Sequence, residues 1–286
     1  MINLIIVMIN FLEMKVKISI IICILLLFCA QSNAQSYRAM YEGEEVNLYD
    51  GEVIRDLFIL DISKSGKSLF QSYYSVKRDS IRDVEIKRGI DRYEILAQMR
   101  NVQPGTKNKV FFDPQKKSFT EIDHGGIDYF KTSEQIKERS YTFADSTKVV
   151  AGYFSNAAIV SLYGREWVVY YTTEISMPYG PWKINGLPGL VTEAYTTDGA
   201  YRFTLTGFEK MAESRVIEVP FKMNNQPVLE VSHKEMLWIR KLCACKDPRP
   251  ILKKYSKGAD MSQMYHDKID KRYRELAKRY QYIEKE

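Results

Sequence analysis

Histidine and cysteine are scarce in this chain, with three and four among 286 residues. Cys23 and Cys29 fall in an N-terminal apolar run, which leaves Cys243 and Cys245 for the remainder. A disulfide scaffold is therefore excluded. Two cysteines one residue apart rarely reach bridging geometry within a single segment, so free, metal-bound and intermolecularly paired states all stay open. There is no G-x-S-x-G elbow to present a hydrolase serine and no H-E-x-x-H pair to hold a peptidase zinc. Ser65-Gly66-Lys67-Ser68 ends like a phosphate-binding loop, but Asp61 stands where the first glycine must be, so it reads as a turn. Carboxylates are spread along the chain and single out no acid–base pair. Internal repeats, low-complexity stretches and cofactor motifs are also missing, and no cofactor is expected.

What is present begins with an export signal. Met14, Lys15 and Lys17 precede an apolar run from Ile18 to Ala30, and Ser32 and Ala34 supply the small residues of a cleavage site. The pattern predicts a signal peptide over residues 1–34 with Met14 as the start, and a periplasmic or secreted protein after cleavage near Ala34. The run is shorter than the roughly 20 residues of a spanning helix. A start at Met1 would lengthen it through Leu4–Val7 and favour an uncleaved anchor. The remaining residues, 35–286, suffice for one large domain.

Charge is uneven. Residues 239–286 hold 14 Lys and Arg against 7 Asp and Glu, whereas the whole chain nets +6. A basic tail points to an anionic surface such as lipid head groups or an acidic glycan. Export argues against nucleic acid.

Strands and turns dominate the body. Leu57–Ser63 and Ser68–Ser75 flank the Lys64-Ser65-Gly66-Lys67 turn. Lys109–Asp113 and Lys117–Asp123 form a second hairpin around Pro114-Gln115. Lys148–Tyr163, Arg165–Glu174, Gly189–Thr196 and Ala200–Glu209 are rich in residues that fill pleated surfaces, with Asp198-Gly199 turning the last two. Val76–Met99 carries apolar residues at helical spacings and predicts one helix on the sheet. Ser232 and Glu235 have the spacing of a capping box, which predicts a helix to about Leu242. Pro248 and Pro250 mark Lys246–Gly258 as a basic linker. Tyr265, Ile269, Tyr273, Leu276, Tyr280 and Ile283 then define one face of a C-terminal helix. Strands that succeed one another directly imply a mainly β (α+β) fold: an antiparallel, curved or partial-barrel sheet with a few covering helices. The predicted division is a β-rich domain over 35–245 and a basic linker with an amphipathic helix over 246–286.

Two constellations could carry chemistry. His124, in Asp123-His124-Gly125-Gly126, could serve an exported hydrolase if folding delivers a serine and carboxylates, although a turn histidine is the plainer reading. Cys243, Cys245, Met261, Met264 and His266 form a soft-ligand set that would favour Cu(I), whereas methionines at helical spacing more often fill a core.

One stretch is more specific. Tyr163-Gly164-Arg165-Glu166-Trp167 leads through a Tyr-rich strand to Gly180-Pro181-Trp182-Lys183-Ile184-Asn185 and then to Gly186-Leu187-Pro188-Gly189-Leu190-Val191. This resembles the GLPGLI family of exported Gram-negative proteins, with Val191 for the final Ile; the specific likeness covers about residues 148–210. Leu187-Pro188-Gly189-Leu190 suits a type II turn, with Gly189 supplying a positive φ. The hexapeptide holds no acid, base, nucleophile or ligand, so it reads as architecture. The resemblance implies a periplasmic or surface protein of unassigned activity, with members encoded near TonB-dependent transporters. The expectation is a non-catalytic envelope protein that binds a partner or an apolar ligand, accessory to outer-membrane uptake or assembly.

Overall fold

A computed structural model describes residues 35–255 and 263–285. The predicted signal over 1–34, Met261 and the side chain of Met264 lie outside the described residues. Residues 1–35 and 36–286 are separate units, and the sheet and its helices belong to the second.

Thirteen strands form one open sheet, not closed into a barrel, in the order β12-β13-β6-β5-β4-β3-β2-β1-β11-β10-β9-β8-β7. The strands are β1 (Tyr37–Val46), β2 (Val53–Ile62), β3 (Ser68–Ser72), β4 (Lys109–Asp113), β5 (Ser118–Gly125), β6 (Asp128–Gln135) and β7 (Thr142–Val150). The remainder are β8 (Tyr153–Leu162), β9 (Arg165–Thr172), β10 (Leu190–Thr196), β11 (Tyr201–Lys210), β12 (Lys222–Met223) and β13 (Gln226–Glu230). Every pairing is antiparallel except that of β13 with β6, because the chain reaches that edge through a long return and not a hairpin. Among the described residues five helices accompany the sheet: α1 (Tyr73–Lys87), α2 (Arg92–Met99), α3 (His233–Ala244), α4 (Arg249–Tyr255) and α5 (Gln263–Ala277). Among the described residues no helix is long and apolar enough to cross a membrane.

Alternation along the strands sorts the two faces. Ala39, Leu60, Phe70 and Val110 are successive cross-strand neighbours, and Glu121 continues the row opposite Val110. This face carries the main core, which also includes Trp167, Val169, Ala194 and Phe203 from the other half of the sheet. The opposite face buries Leu69, Phe111 and Ile122 under Ile217 and Val228. Against β6, α3 and α4 bury Met236, Ile239, Leu242 and Ile251 around Phe130.

Several expectations change. The single helix over 76–99 is two: Ser72 ends β3 and caps α1 by accepting from the Ser75 N–H at 3.2 Å, and Gly89 at φ +74° breaks the run before α2. Lys148–Tyr163 is not one strand, because Ala151 and Gly152 at φ +50° and +87° reverse the chain between β7 and β8. The Pro248–Pro250 stretch starts a helix instead of preventing one. Pro250 sits in the first turn of α4, where a missing N–H costs no intrahelical bond. Ser232 caps α3, but Glu235 turns its carboxylate to Lys254 and Tyr255. The C-terminal helix stops at Ala277, so Tyr280 and Ile283 are not on it; Ile283 enters the main core on a non-helical segment. Described residues beyond 245 pack on the sheet: Ile251 joins the cluster around Phe130, and Ile283 joins the main core.

Candidate functional site

The loop from Thr173 to Gly189 folds over the main face of the sheet. Main-chain bonds close it on itself: Ile184 N–H to Pro181 O at 3.1 Å, Gly186 N–H to Pro178 O at 3.1 Å and Val191 N–H to Tyr179 O at 2.9 Å. Tyr179 donates to Gly66 O at 2.7 Å, and Tyr41 donates to Val191 O at 2.7 Å. Leu187, Leu190 and Val191 are buried, as the architectural reading requires. The turn type differs from expectation. Positive φ falls on Gly186, at +93°, and not on Gly189. Gly189 is needed for a close approach instead, since a Cβ there would stand 1.9 Å from Thr172 O. Gly180 meets the same constraint, with Val191 at 2.6 Å from its Cβ position. Pro181 and Pro188 flank this packed stretch.

What the loop delivers is Lys183, which is wholly buried. Its Nζ lies 2.6 Å from Glu121, 2.6 Å from Glu134 and 2.5 Å from Glu284, and 4.4 Å from the centre of the Tyr163 ring. Arg240 of α3 extends the cluster, reaching Glu121 at 2.8 Å and Asp123 at 3.0 Å. His233 Nε2 meets Glu284 at 3.0 Å. Trp182, next to Lys183 in the chain, is held at φ +53°, a costly conformation for a bulky residue. Arg139 fixes the loop from outside by donating to Lys183 O at 2.6 Å.

Electrostatics follow from burial and pairing. Burial alone would raise the Glu121 carboxyl, but the charges of Arg240 and Lys183 hold it down to about 2. Burial works against the Lys183 ammonium, yet Glu121 and Glu284 raise its pKa well above the ordinary lysine value. The hydrogen bond to Glu284 raises the His233 pKa, against the opposing effect of its burial. Glu121 and Lys183 are both charged at neutral pH. Glu121, His233 and Glu284 also bring three potential metal-ligand atoms within 4.8 Å of one another, but the Lys183 ammonium already contacts both carboxylates.

The chain end seals this centre. Arg165 donates to Ile283 O at 2.9 Å and Tyr282 O at 2.8 Å, and pairs with Asp198 at 2.5 Å. Beside the segment lies a cleft of about 750 Å³, bounded by the β1–β2 turn, α3 and residues 278–285. Six cations line it: Arg165, Lys234, Lys241, Lys278, Arg279 and Lys285, with Tyr49, Trp238, Tyr280 and Tyr282 as aromatic walls. Arg279 pairs with Asp50 at 3.0 Å and Lys285 with Asp198 at 2.9 Å. Among the described residues no carboxylate pairs with Lys234, Lys241 or Lys278.

The soft-ligand set is not assembled by what is described. Cys243 is half-buried with its Sγ 3.8 Å from His124 O, while Cys245 is buried as the C-cap of α3. Burial raises both thiols, which disfavours the thiolate a metal needs. His266 engages Arg249 through its carbonyl. His124 stands apart from the charged centre around Lys183. Its ring packs edge-on to Tyr129 at 5.1 Å, no carboxylate among the described residues bonds it, and burial lowers its pKa.

Sequence reasoning missed Lys183 and its three carboxylates. Period two places Glu121 on the same face as Phe119, and Trp182-Lys183-Ile184 sets a lysine between two core residues; those were the available signals.

Comparison with known proteins adds little. No family model matches the chain, and no curated protein matches it. Two solved structures of PNGF-II, in space groups C2 and P21, align with TM-scores of 0.47 and 0.46 at 16% and 15% identity. Each alignment covers 71% of this chain and 33% of the other, so the chain spans about a third of their length. Likeness at that level carries no argument about what this protein does.

Proposed function

We propose that this protein is an exported, non-catalytic binding protein of the GLPGLI type, whose cleft beside the C-terminal segment holds an anionic component of the cell envelope. The carrying observation is that Lys234, Lys241 and Lys278 line a 750 Å³ cleft without carboxylate partners among the described residues, next to Trp238 and Tyr280. That volume is within the usual range for ligand sites, and exposed ammonium groups flanked by aromatic faces suit a phosphate or carboxylate on a ring or acyl scaffold. Lys183, Glu121 and Glu284, which could otherwise do acid–base work, have side chains 0%, 2% and 2% exposed and are spent on one another. Periplasmic or secreted location rests on the signal pattern, and a place beside a TonB-dependent transporter rests on the family resemblance. Co-sedimentation tests the reading: the protein should bind vesicles containing phosphatidylglycerol or a soluble uronic-acid glycan, and not zwitterionic vesicles. Binding to neither anionic ligand, or equal binding to zwitterionic vesicles, would sink it.

A further inference from the structure

A second cavity has the opposite character. It adjoins the same C-terminal segment through Tyr282 and Ile283, with a volume of about 110 Å³. Its walls include Phe58, Phe70, Trp182 and Phe203, and its acidic groups are Glu44, Glu45 and Asp56. No lysine or arginine lines it. Glu44 pairs with Arg55 at 2.7 Å. Of the other two carboxylates Asp56 is buried and Glu45 half-buried, and both are met by neutral donors: Tyr201 O–H reaches Glu45 at 3.0 Å. Asp56 accepts from Ser72 O–H at 2.8 Å, Thr106 N–H at 2.6 Å and Leu57 N–H at 2.8 Å. Among the described residues neither Glu45 nor Asp56 has a lysine or arginine ion pair. Burial pushes the Glu45 carboxyl up, against the opposing effects of hydrogen bonds from Tyr201 and Gln281 and of the Arg165 charge.

A buried carboxylate, Asp56, and a half-buried one, Glu45, beside aromatic faces describe a site for a cation that is also apolar. A metal ion would want several oxygen ligands converging at one point, whereas here the walls are mainly rings. We propose that this pocket binds a small organic ammonium ion, with its alkyl groups against Phe58, Phe70 and Phe203 and its charge shared between Glu45 and Asp56. Trp182 supports the assignment independently. It is 5% exposed and forms part of the wall, and among the described residues its indole N–H has no hydrogen-bond partner. An oxygen on the ligand would satisfy it. Gly43 shapes the floor, since a Cβ there would come within 2.4 Å of the Phe58 ring. This assignment does not depend on the basic cleft.

Isothermal titration of the purified protein with choline and with 3,3-dimethylbutan-1-ol, its uncharged counterpart of the same shape, separates charge from size. Choline should bind saturably and about tenfold or more tighter than the alcohol. Glu45→Gln should weaken choline about tenfold and leave the alcohol unchanged. Equal affinity for the two ligands, or no saturable binding of choline, tetramethylammonium or methylammonium, overturns the assignment. The comparison on the unaltered protein decides it even if the variant does not fold.

Discussion

Replacing Lys183 with methionine removes the central cation but keeps nearly the same length of side chain. Glu121, Glu134 and Glu284 would then face one another around the vacated Nζ position, with Arg240 and His233 as the remaining cations. Removing one partner of a buried ion pair typically costs about 3–5 kcal/mol, because the charge left behind stays desolvated. The pH dependence is more diagnostic than the magnitude. In the native protein the Glu121 carboxyl is held at about 2 against an ordinary 4.5. Its folded value is depressed, so its stabilisation is present above about 4.5 and lost as pH falls towards 2; the shift corresponds to about 3 kcal/mol. Without Lys183 the carboxyls rise, protonate on mild acidification and stop repelling. The stability gap between native and Lys183→Met protein should thus be about 4 kcal/mol at pH 7 and less than half that near pH 4. Urea unfolding followed by tryptophan fluorescence reads it directly, since Trp182 adjoins the lysine and stacks on Trp167 at 5.8 Å. A gap below about 1 kcal/mol at pH 7, or one unchanged down to pH 4, would refute the reasoning.

The two glycines of the hexapeptide should respond differently to alanine. Gly189→Ala drives a methyl into the Thr172 carbonyl and should cost about 3 kcal/mol in a denaturation midpoint. Gly186→Ala has open space but must keep φ at +93°, and should cost about 1–2 kcal/mol. His233 has a raised folded pKa, so its contribution is present below about pH 6.5 and is lost as pH rises through the higher folded value. The imidazole is 39% exposed, which limits the effect to under about 1 kcal/mol. His233→Gln should flatten the stability profile across that interval, and an unchanged slope would remove His233 from the cluster.

Local chemistry was legible in the sequence wherever neighbours in the chain decide structure. Lys109–Asp113 is a strand with those bounds, Ser65-Gly66 and Asp198-Gly199 lie in turns, and Ser232 caps a helix. The prolines misled because their effect depends on position: Pro250 falls in a first turn, where it is tolerated. The hexapeptide was legible as architecture, but not which glycine needs the positive φ and which the missing side chain; that depends on Thr172 in the neighbouring strand. Least legible was the charged centre. Glu121, Lys183, Arg240 and Glu284 lie far apart in sequence, and each alone resembles a solvated surface charge. Their burial exists only once the 173–189 loop and the chain end meet over the sheet.

Capture of an anion by Lys234, Lys241 and Lys278 of the cleft is the central functional claim, and charge reversal tests it most directly. Reversal at Lys241 and Lys278 should weaken binding to phosphatidylglycerol vesicles, or to whichever anionic ligand sediments with the protein, by tenfold or more on the order of magnitude expected for two near-surface cations. Reversal at Lys87 and Lys116, exposed lysines that do not line the cleft, changes net charge equally and should have little effect. Equal losses from the two pairs would show attraction by overall charge alone and contradict a built site.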